Sequence, residues 1–434
     1  MLAVEPAVER LAALIRIPTV SAQPDPSAFD ELLDTMATQW PRLHELEVTR
    51  IRSHGLLVRW PGRAADRPVV LMAHLDVVPV VAEDWARDPF SGDIDDGAIH
   101  GRGTLDDKGC VAAICEAVEG LLADGFVPAQ DVWLSFGCDE EVFGGAAAEA
   151  VETLRERGVS PWFVLDEGGA VAAEAFPGIT APLAVIGVAE KGVTSLRLTA
   201  TGAGGHASTP SRNGPVARLA RAITRIEESG MSPRLLPTTA ELFRRLAPHA
   251  PAPLRPLVAN AARLAPAATR LLTHAGPEAA ALVRTTFAVT TLSGSPALNV
   301  IAASASAGVN VRILPGDTVA DVVAHVRKVV KDDDIAVEVV ESGEASPVSP
   351  IDDAFALIER TTTELFPDAV PTPYVMLAAT DSRHFTAICE RVYRFAPFRM
   401  SRAQRARIHA ADEYLMIEDY LDGVRWYRRL VEGL

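Results

Sequence analysis

Cysteine is scarce in this chain. Four occur in 434 residues, Cys110, Cys115, Cys138 and Cys389, and none of them shows CxxC spacing. That density excludes a disulfide scaffold and reads as reduced, mostly buried thiols of a cytoplasmic protein. Basic charge is short as well. Forty-one Lys and Arg face 57 Asp and Glu, a formal charge of -16. Nucleic acid and anionic membrane both need a concentrated basic face, so both are excluded as partners. No apolar run is long and charge-free enough to span a bilayer. At the N-terminus Glu5, Glu9 and Arg10 interrupt the apolar residues, which fits an amphipathic helix rather than a signal-peptide core. Internal repeats and low-complexity tails are missing too.

What is present starts with size. A chain of 434 residues exceeds the length at which one hydrophobic core keeps growing, so two domains are expected. Short apolar runs alternate with helical patterns, which predicts an α/β fold with a mostly parallel central sheet flanked by helices. Three runs read as buried strands: Val69 to Ala73, Asp131 to Phe136 and Trp162 to Leu165. Val111 to Ala123 reads as a packed helix stopped by Gly125. After about residue 186 the pattern changes to strands with one polar face, Val193 to Thr199 and Ala307 to Ile313, a helix over Val319 to Val330, and a strand over Ile335 to Val339. The expected organisation is therefore a larger α/β domain in two parts, residues 1–186 and 342–434, around a smaller inserted α+β domain, residues 187–341. Within the insert, Met231 to Val283 carries Pro233, Pro237, Pro248, Pro251, Pro253 and Pro256. These predict short helices joined by Pro turns, a packing embellishment rather than one long amphipathic helix.

Each buried-strand run ends in a polar cluster, at the edge where open α/β sheets bind ligands. His74-Leu75-Asp76 follows the first, Asp139-Glu140-Glu141 the second and Asp166-Glu167 the third. Two further segments add to these, the glycine-rich run Gly101 to Gly109 with Asp106 and Asp107, and His409 far downstream. Taken singly, each has an ordinary reading: a surface histidine beside an acid, or an exposed acidic turn. Their coincidence at strand ends, in order, supplies imidazole and carboxylate ligands for two divalent metals with one acid left over to move protons. That is the outline of a hydrolase. The glycine-rich run has neither a GxxxxGK[ST] order nor a dinucleotide fingerprint, so it is not a phosphate-binding module. Ser135 and Ser208 lack any nucleophile elbow.

These motifs together resemble the M20 metallopeptidases, the co-catalytic zinc aminoacylases, dipeptidases, desuccinylases and carboxypeptidases. The resemblance runs from the first strand through His409. It implies two divalent metals, zinc by preference, with His74 and Asp166 on one, Glu141 and His409 on the other, and Asp106 bridging. Glu167 is the second choice to Asp166. It also implies Asp76 as the partner that orients His74, Glu140 as the general base, and a cis peptide at Asp106-Asp107. The inserted domain becomes a lid of the dimerising type. There Gly204-Gly205-His206-Ala207-Ser208 resembles the segment whose histidine polarises the scissile carbonyl, often from a partner subunit. Asn299 and Arg312 resemble the pair that recognises the substrate carbonyl and carboxylate, and the loop Thr380 to Phe385 brings Arg383 as another anion contact. The Pro-broken insert and Leu165-Asp166-Glu167-Gly168-Gly169 are more like the carboxypeptidase S and N-acyl-amino-acid hydrolase branch. The implied substrate is a small amide or peptide with a free carboxylate, and the implied assembly is a homodimer through the lid. The alternative is a catalytically silent relative serving as a binding or scaffold protein, which should have lost a ligand or the base.

Overall fold

The architecture comes from a computed structural model that describes residues 4–176, 179–210 and 212–434. Two sheets dominate it. The larger has ten strands, and its centre runs in the order Gln130–Gly137, Ala64–His74, Phe163–Asp166 and Val392–Arg394, all parallel. Strands at both margins turn antiparallel, beginning with Gly55–Trp60 on one side and Leu183–Glu190 on the other.

Period-two alternation explains how this sheet is buried on both faces. Val69, Leu71 and Ala73 join one core with the helices Lys108–Ala123 and Ile417–Glu432. Val70 and Met72 join another with the helix Ala146–Glu156 and with Phe385. From residue 68 to His74, and along nearly all of Gln130–Gly137 and Phe163–Asp166, the strand residues are buried, so the sequence reads as continuous apolar runs. The helix Lys108–Ala123 starts three residues before the apolar run that reveals it, because Lys108 is itself buried and donates to the carbonyls of Leu14 and Ile17.

At Lys191 the chain leaves the large sheet for a four-stranded one built of Thr286–Ser293, Ser304–Ile313, Gly192–Thr201 and Ile335–Glu341, all antiparallel. The helices Pro215–Glu228 and Val319–Val330 cover one of its faces. Entry and exit lie side by side: the Ser346 N–H donates to the Glu190 carbonyl at 3.1 Å, and Glu190 N–H donates to Ser346 Oγ at 2.7 Å.

The Pro-rich segment forms four short helices, Pro237–Leu246, Arg255–Ala259, Ala265–His274 and Pro277–Ala281, each with proline in its first turn, where the missing N–H costs nothing. Its neck is closed by Arg234 N–H donating to the Val283 carbonyl at 2.7 Å. The first helix rests on the large domain rather than on the small sheet. Leu242 and Leu246 pack with Leu183, Val370 and Tyr374, and Arg245 reaches Glu359 at 2.6 Å and the Pro371 carbonyl at 3.0 Å.

Candidate metal centre

The carboxyl ends of the parallel strands converge on one cluster. His74 closes the strand Ala64–His74 and is buried. Its Nδ1 lies 3.0 Å from the Asp76 carbonyl, an acceptor only, so the neutral ring carries its proton on Nδ1 and turns the Nε2 lone pair towards the acids. That Nε2 faces Asp106 Oδ1 at 2.9 Å. The other oxygen of Asp106 faces His409 Nε2, also at 2.9 Å, and His409 Nε2 stands 3.2 Å from Glu141 Oε2. One carboxylate thus addresses two imidazoles, one with each oxygen.

Two atoms sharing a tetrahedral zinc, with bonds of roughly 2.0–2.2 Å, stand about 3.3–3.6 Å apart. The observed 3.2 Å between His409 and Glu141 comes near that spacing, and the two 2.9 Å contacts of Asp106 are hydrogen-bond distances that would open slightly around an ion. Among the described residues two groups place ligand atoms closely enough to hold a cation: His74 with Glu140 and Glu141, and Asp106 with Glu141 and His409. Asp166 and Glu167 belong to neither group. Asp166 accepts from the N–H groups of Glu167 at 2.9 Å and Ser382 at 3.0 Å, which leaves lone pairs on both oxygens.

Asp76 does more than orient His74. Its buried carboxylate accepts from the N–H groups of Glu140 at 3.2 Å and Glu141 at 3.1 Å, so one acid fixes both the imidazole and the turn that carries the acidic pair. Around Asp106 the backbone is tight: the Asp106-Asp107 peptide is cis, and Gly103 sits at φ +92 with no room for a Cβ against Val77. The loop is held by Glu413, whose carboxylate accepts from Leu105 N–H at 2.7 Å and Asp106 N–H at 3.2 Å and pairs with the Arg102 guanidinium. Sequence reading gave neither Glu413 nor Arg102 a role, although a glutamate four residues beyond His409 was the available signal. Asp107, also without an assigned role, accepts from the His74 N–H at 3.2 Å.

The electrostatics call for cations. Burial pushes the Glu140 carboxyl up to about 9, and Asp381, Asp106 and Glu141 add to the push against the pull of His74. Burial likewise raises Asp381 to about 7. His409 rises to about 10 through its bonds to Asp106 and Glu141. Burial disfavours a charged His74, but Asp106 and Asp76 outweigh it and hold that pKa well above the ordinary value. Glu141 Oε1 and both Asp381 oxygens are buried without a hydrogen-bond partner. A site so rich in carboxylate repels itself until a cation enters, and these donors fit a pair of divalent ions.

The remaining candidates lie on the small domain. His206 and Asn299 meet on a two-stranded ribbon, where His206 pairs with Val300 and Ala207 N–H donates to the Asn299 carbonyl at 3.0 Å. Ser208 N–H donates to His206 Nδ1 at 3.2 Å, so the neutral ring carries its proton on Nε2 and offers an N–H donor. Arg312 sits at the other end of the sheet, paired with Val193 beside the domain junction, while Thr201 pairs with Ser304 near the ribbon. Eight strand residues at ~3.3 Å each separate those ends by about 26 Å. Arg383 stays with the large domain, its Nη1 donating to the Thr380 carbonyl at 2.8 Å.

Comparison with known proteins agrees with this geometry. Residues 70–433 match peptidase family M20/M25/M40. A probable carboxypeptidase S-like 2 of Dictyostelium discoideum is 36% identical over 402 residues, covering 91% of this chain and 77% of its own. The N-fatty-acyl-amino acid synthase/hydrolase PM20D1 of Xenopus tropicalis is 36% identical over 439 residues, covering 98% and 85%. Among solved structures, an M20 family metallo-carboxypeptidase from Sulfolobus solfataricus superimposes with a TM-score of 0.73 at 17% identity, covering 98% of both chains. A dinuclear metal-binding M20 peptidase from Bacillus subtilis gives 0.63 at 14%, covering 99% and 98%. The large sheet, the acidic cluster at its carboxyl edge and a sequence match across most of the length agree, and the chain belongs to peptidase family M20/M25/M40.

Proposed function

We propose that this enzyme is a zinc-dependent aminoacylase or peptidase that hydrolyses N-acyl amino acids and short peptides bearing a free carboxylate. The observation that carries the reading is Asp106, with one oxygen 2.9 Å from each of two imidazole nitrogens. In it, His74 and Asp166, with Glu167 in reserve, would hold one divalent ion and Glu141 and His409 the other, with Asp106 shared between them. Such a pair supplies Lewis acidity and a water of lowered pKa. Glu140, next to that cluster and held by Asp76, takes the water's proton and returns it to the leaving amine. His206 donates Nε2–H to the developing oxyanion, beside Asn299. Arg312 binds the substrate carboxylate as a planar fork, with Arg383 a second cation near the acids. The curated relatives named as carboxypeptidase S-like and as N-fatty-acyl-amino acid synthase/hydrolase support this substrate class. They lend no support to a silent scaffold.

Distance favours a homodimer. Arg312 and the end of the small sheet that leads to the His206 ribbon lie about 26 Å apart along the strand, a span that a small substrate does not bridge. The tip also exposes Leu292 and Leu298, the latter at 104% of its reference area, so the chain's own residues leave it uncovered. In the dimer Arg312 serves its own site and His206 with Asn299 the partner's. All four cysteines are free and buried, which suits a cytoplasmic location, and among the described residues no helix is long and apolar enough to cross a membrane.

The test is to chelate the protein, titrate zinc back and follow bound metal and turnover of N-acyl amino acids and dipeptides together. Activity that returns in step with two ions per chain is expected. Full activity in protein shown to be metal-free overturns the reading.

A further inference from the structure

We propose that Val142 and Phe143 form the platform for an apolar acyl group, which makes Phe143 a specificity-determining residue. The inference rests on the amide-hydrolase reading and names which end of the substrate is apolar. Both side chains are exposed, Val142 at 42% and Phe143 at 55%, and they follow Glu140 and Glu141 directly. A lone exposed phenylalanine is ordinary. This one is held in place by strain and by a stacked cation.

Phe143 sits at φ +53, a left-handed conformation that L-residues with a bulky side chain rarely adopt. The turn around it is fixed on every side. Phe143 N–H donates to the Glu140 carbonyl at 2.9 Å and Gly144 N–H to the Asp139 carbonyl at 2.8 Å. The Asp139 carboxylate accepts from Gly145 N–H at 3.0 Å and Ala146 N–H at 3.1 Å, and a Cβ on Gly144 would lie 1.9 Å from Asp139 Cγ. The Arg383 guanidinium lies 5.3 Å from the Phe143 ring centre, a cation–π distance. Arg383 belongs to the segment Asp381–Ala387, whose Ser382 N–H binds Asp166. Both halves of the platform therefore grow from segments that also carry or hold the proposed metal ligands.

Topology gives the direction. Arg312 enters from the Leu183–Glu190 side of the large sheet, where the two domains join. Phe143 leaves from the Gln130–Gly137 side, with Ala64–His74, Phe163–Asp166 and Val392–Arg394 between. A substrate whose carboxylate meets Arg312 and whose carbonyl lies at the acids points its acyl group at Phe143.

The test compares kcat/KM for one amino acid carrying acetyl, hexanoyl and decanoyl groups, in metal-loaded wild type, Phe143→Gly and Phe143→Leu. Glycine is at ease at φ +53, so the variant should fold. Phe143→Gly should lose about 10–100-fold on the decanoyl substrate, the worth of most of one buried apolar side chain, stay within about twofold on the acetyl one, and recover with leucine. Equal loss along the series, or no loss on decanoyl, overturns the proposal. Calorimetry of decanoate binding to the same proteins gives a readout without turnover, in which Phe143→Gly should weaken binding by about 10-fold or more. If wild type cleaves none of the panel, the amide-hydrolase reading fails, and the decanoate measurement still decides the platform: unchanged binding, or none to wild type, overturns it.

Discussion

Glu140 and Glu141 are neighbours in sequence with separate chemistry. Glu141 faces His409 at 3.2 Å, whereas burial drives Glu140 towards the protonated form. Glu140→Gln should therefore keep its bound metal and lose at least roughly 10²–10⁴-fold in turnover. Metal analysis beside a rate measurement checks this, and metal loss in Glu140→Gln with retention in Glu141→Gln would reverse the roles. His206, exposed and carrying Nε2–H, has no part in the metal cluster, so His206→Ala should cost about 10²–10³ in kcat at unchanged metal content. Arg312→Met should cut kcat/KM for free-acid substrates far more than for the matching amides. The residues that end apolar strands were readable because a polar side chain there interrupts a buried run. Glu413 and Arg102 were not, since Glu413 acts on backbone groups some three hundred positions away in the chain. Phe143 was equally hidden, because backbone strain appears only after folding, and Asp381 was legible only as part of the loop Thr380 to Phe385, since its unpaired buried oxygens show only in the fold.

Between elements, two buried charges hold the pieces in register. The Glu413 clamp on the Asp106 loop is fully buried. Glu413→Ala strands the Arg102 guanidinium and should cost about 3–5 kcal/mol in chemical unfolding. Lys191, at the junction of the two sheets, donates to the carbonyls of Ala281 and Arg284. Burial lowers its pKa to about 8, helped by Arg312 and Arg284. Because that value lies below the ordinary 10.5, the folded state bears a cost below about pH 8 that fades as pH climbs towards 10.5. Melting curves of wild type and Lys191→Met should therefore shift in favour of wild type between about pH 7 and pH 9.5. A constant difference would mean that Lys191 titrates normally. Strand and helix assignments from periodicity matched the central elements well, since two-sided burial leaves continuous apolar runs. The placement of the Pro-rich helices on the large domain was beyond it, because Leu242, Leu246 and Arg245 find their partners only through tertiary packing.

At the scale of the whole molecule, the separation of His206 from Arg312 predicts a complementation result. Inactive Glu140→Gln protein mixed with inactive His206→Ala protein should recover about a quarter of wild-type activity on subunit exchange, since one site in each mixed dimer holds both intact residues. A monomer in sedimentation with no recovery would leave His206 acting within its own chain. The two-domain plan was legible from the change in strand character, whereas the location of the junction at Lys191 was not, because Leu183–Glu190 and Gly192–Thr201 are nearly one continuous β sequence. The helix Pro237–Leu246 adds a mechanical consequence. Two crossings side by side at Glu190 and Ser346 act as an axle, about which a flap could swing freely. Arg245 pins that flap at a third point, off the axle, on Glu359 and the Pro371 carbonyl. Swinging the flap about that axle breaks the Arg245 contacts, whereas flexing of the ribbon and tip beyond Thr201 leaves them intact, so the root of the flap resists motion like the heel of a leaf spring.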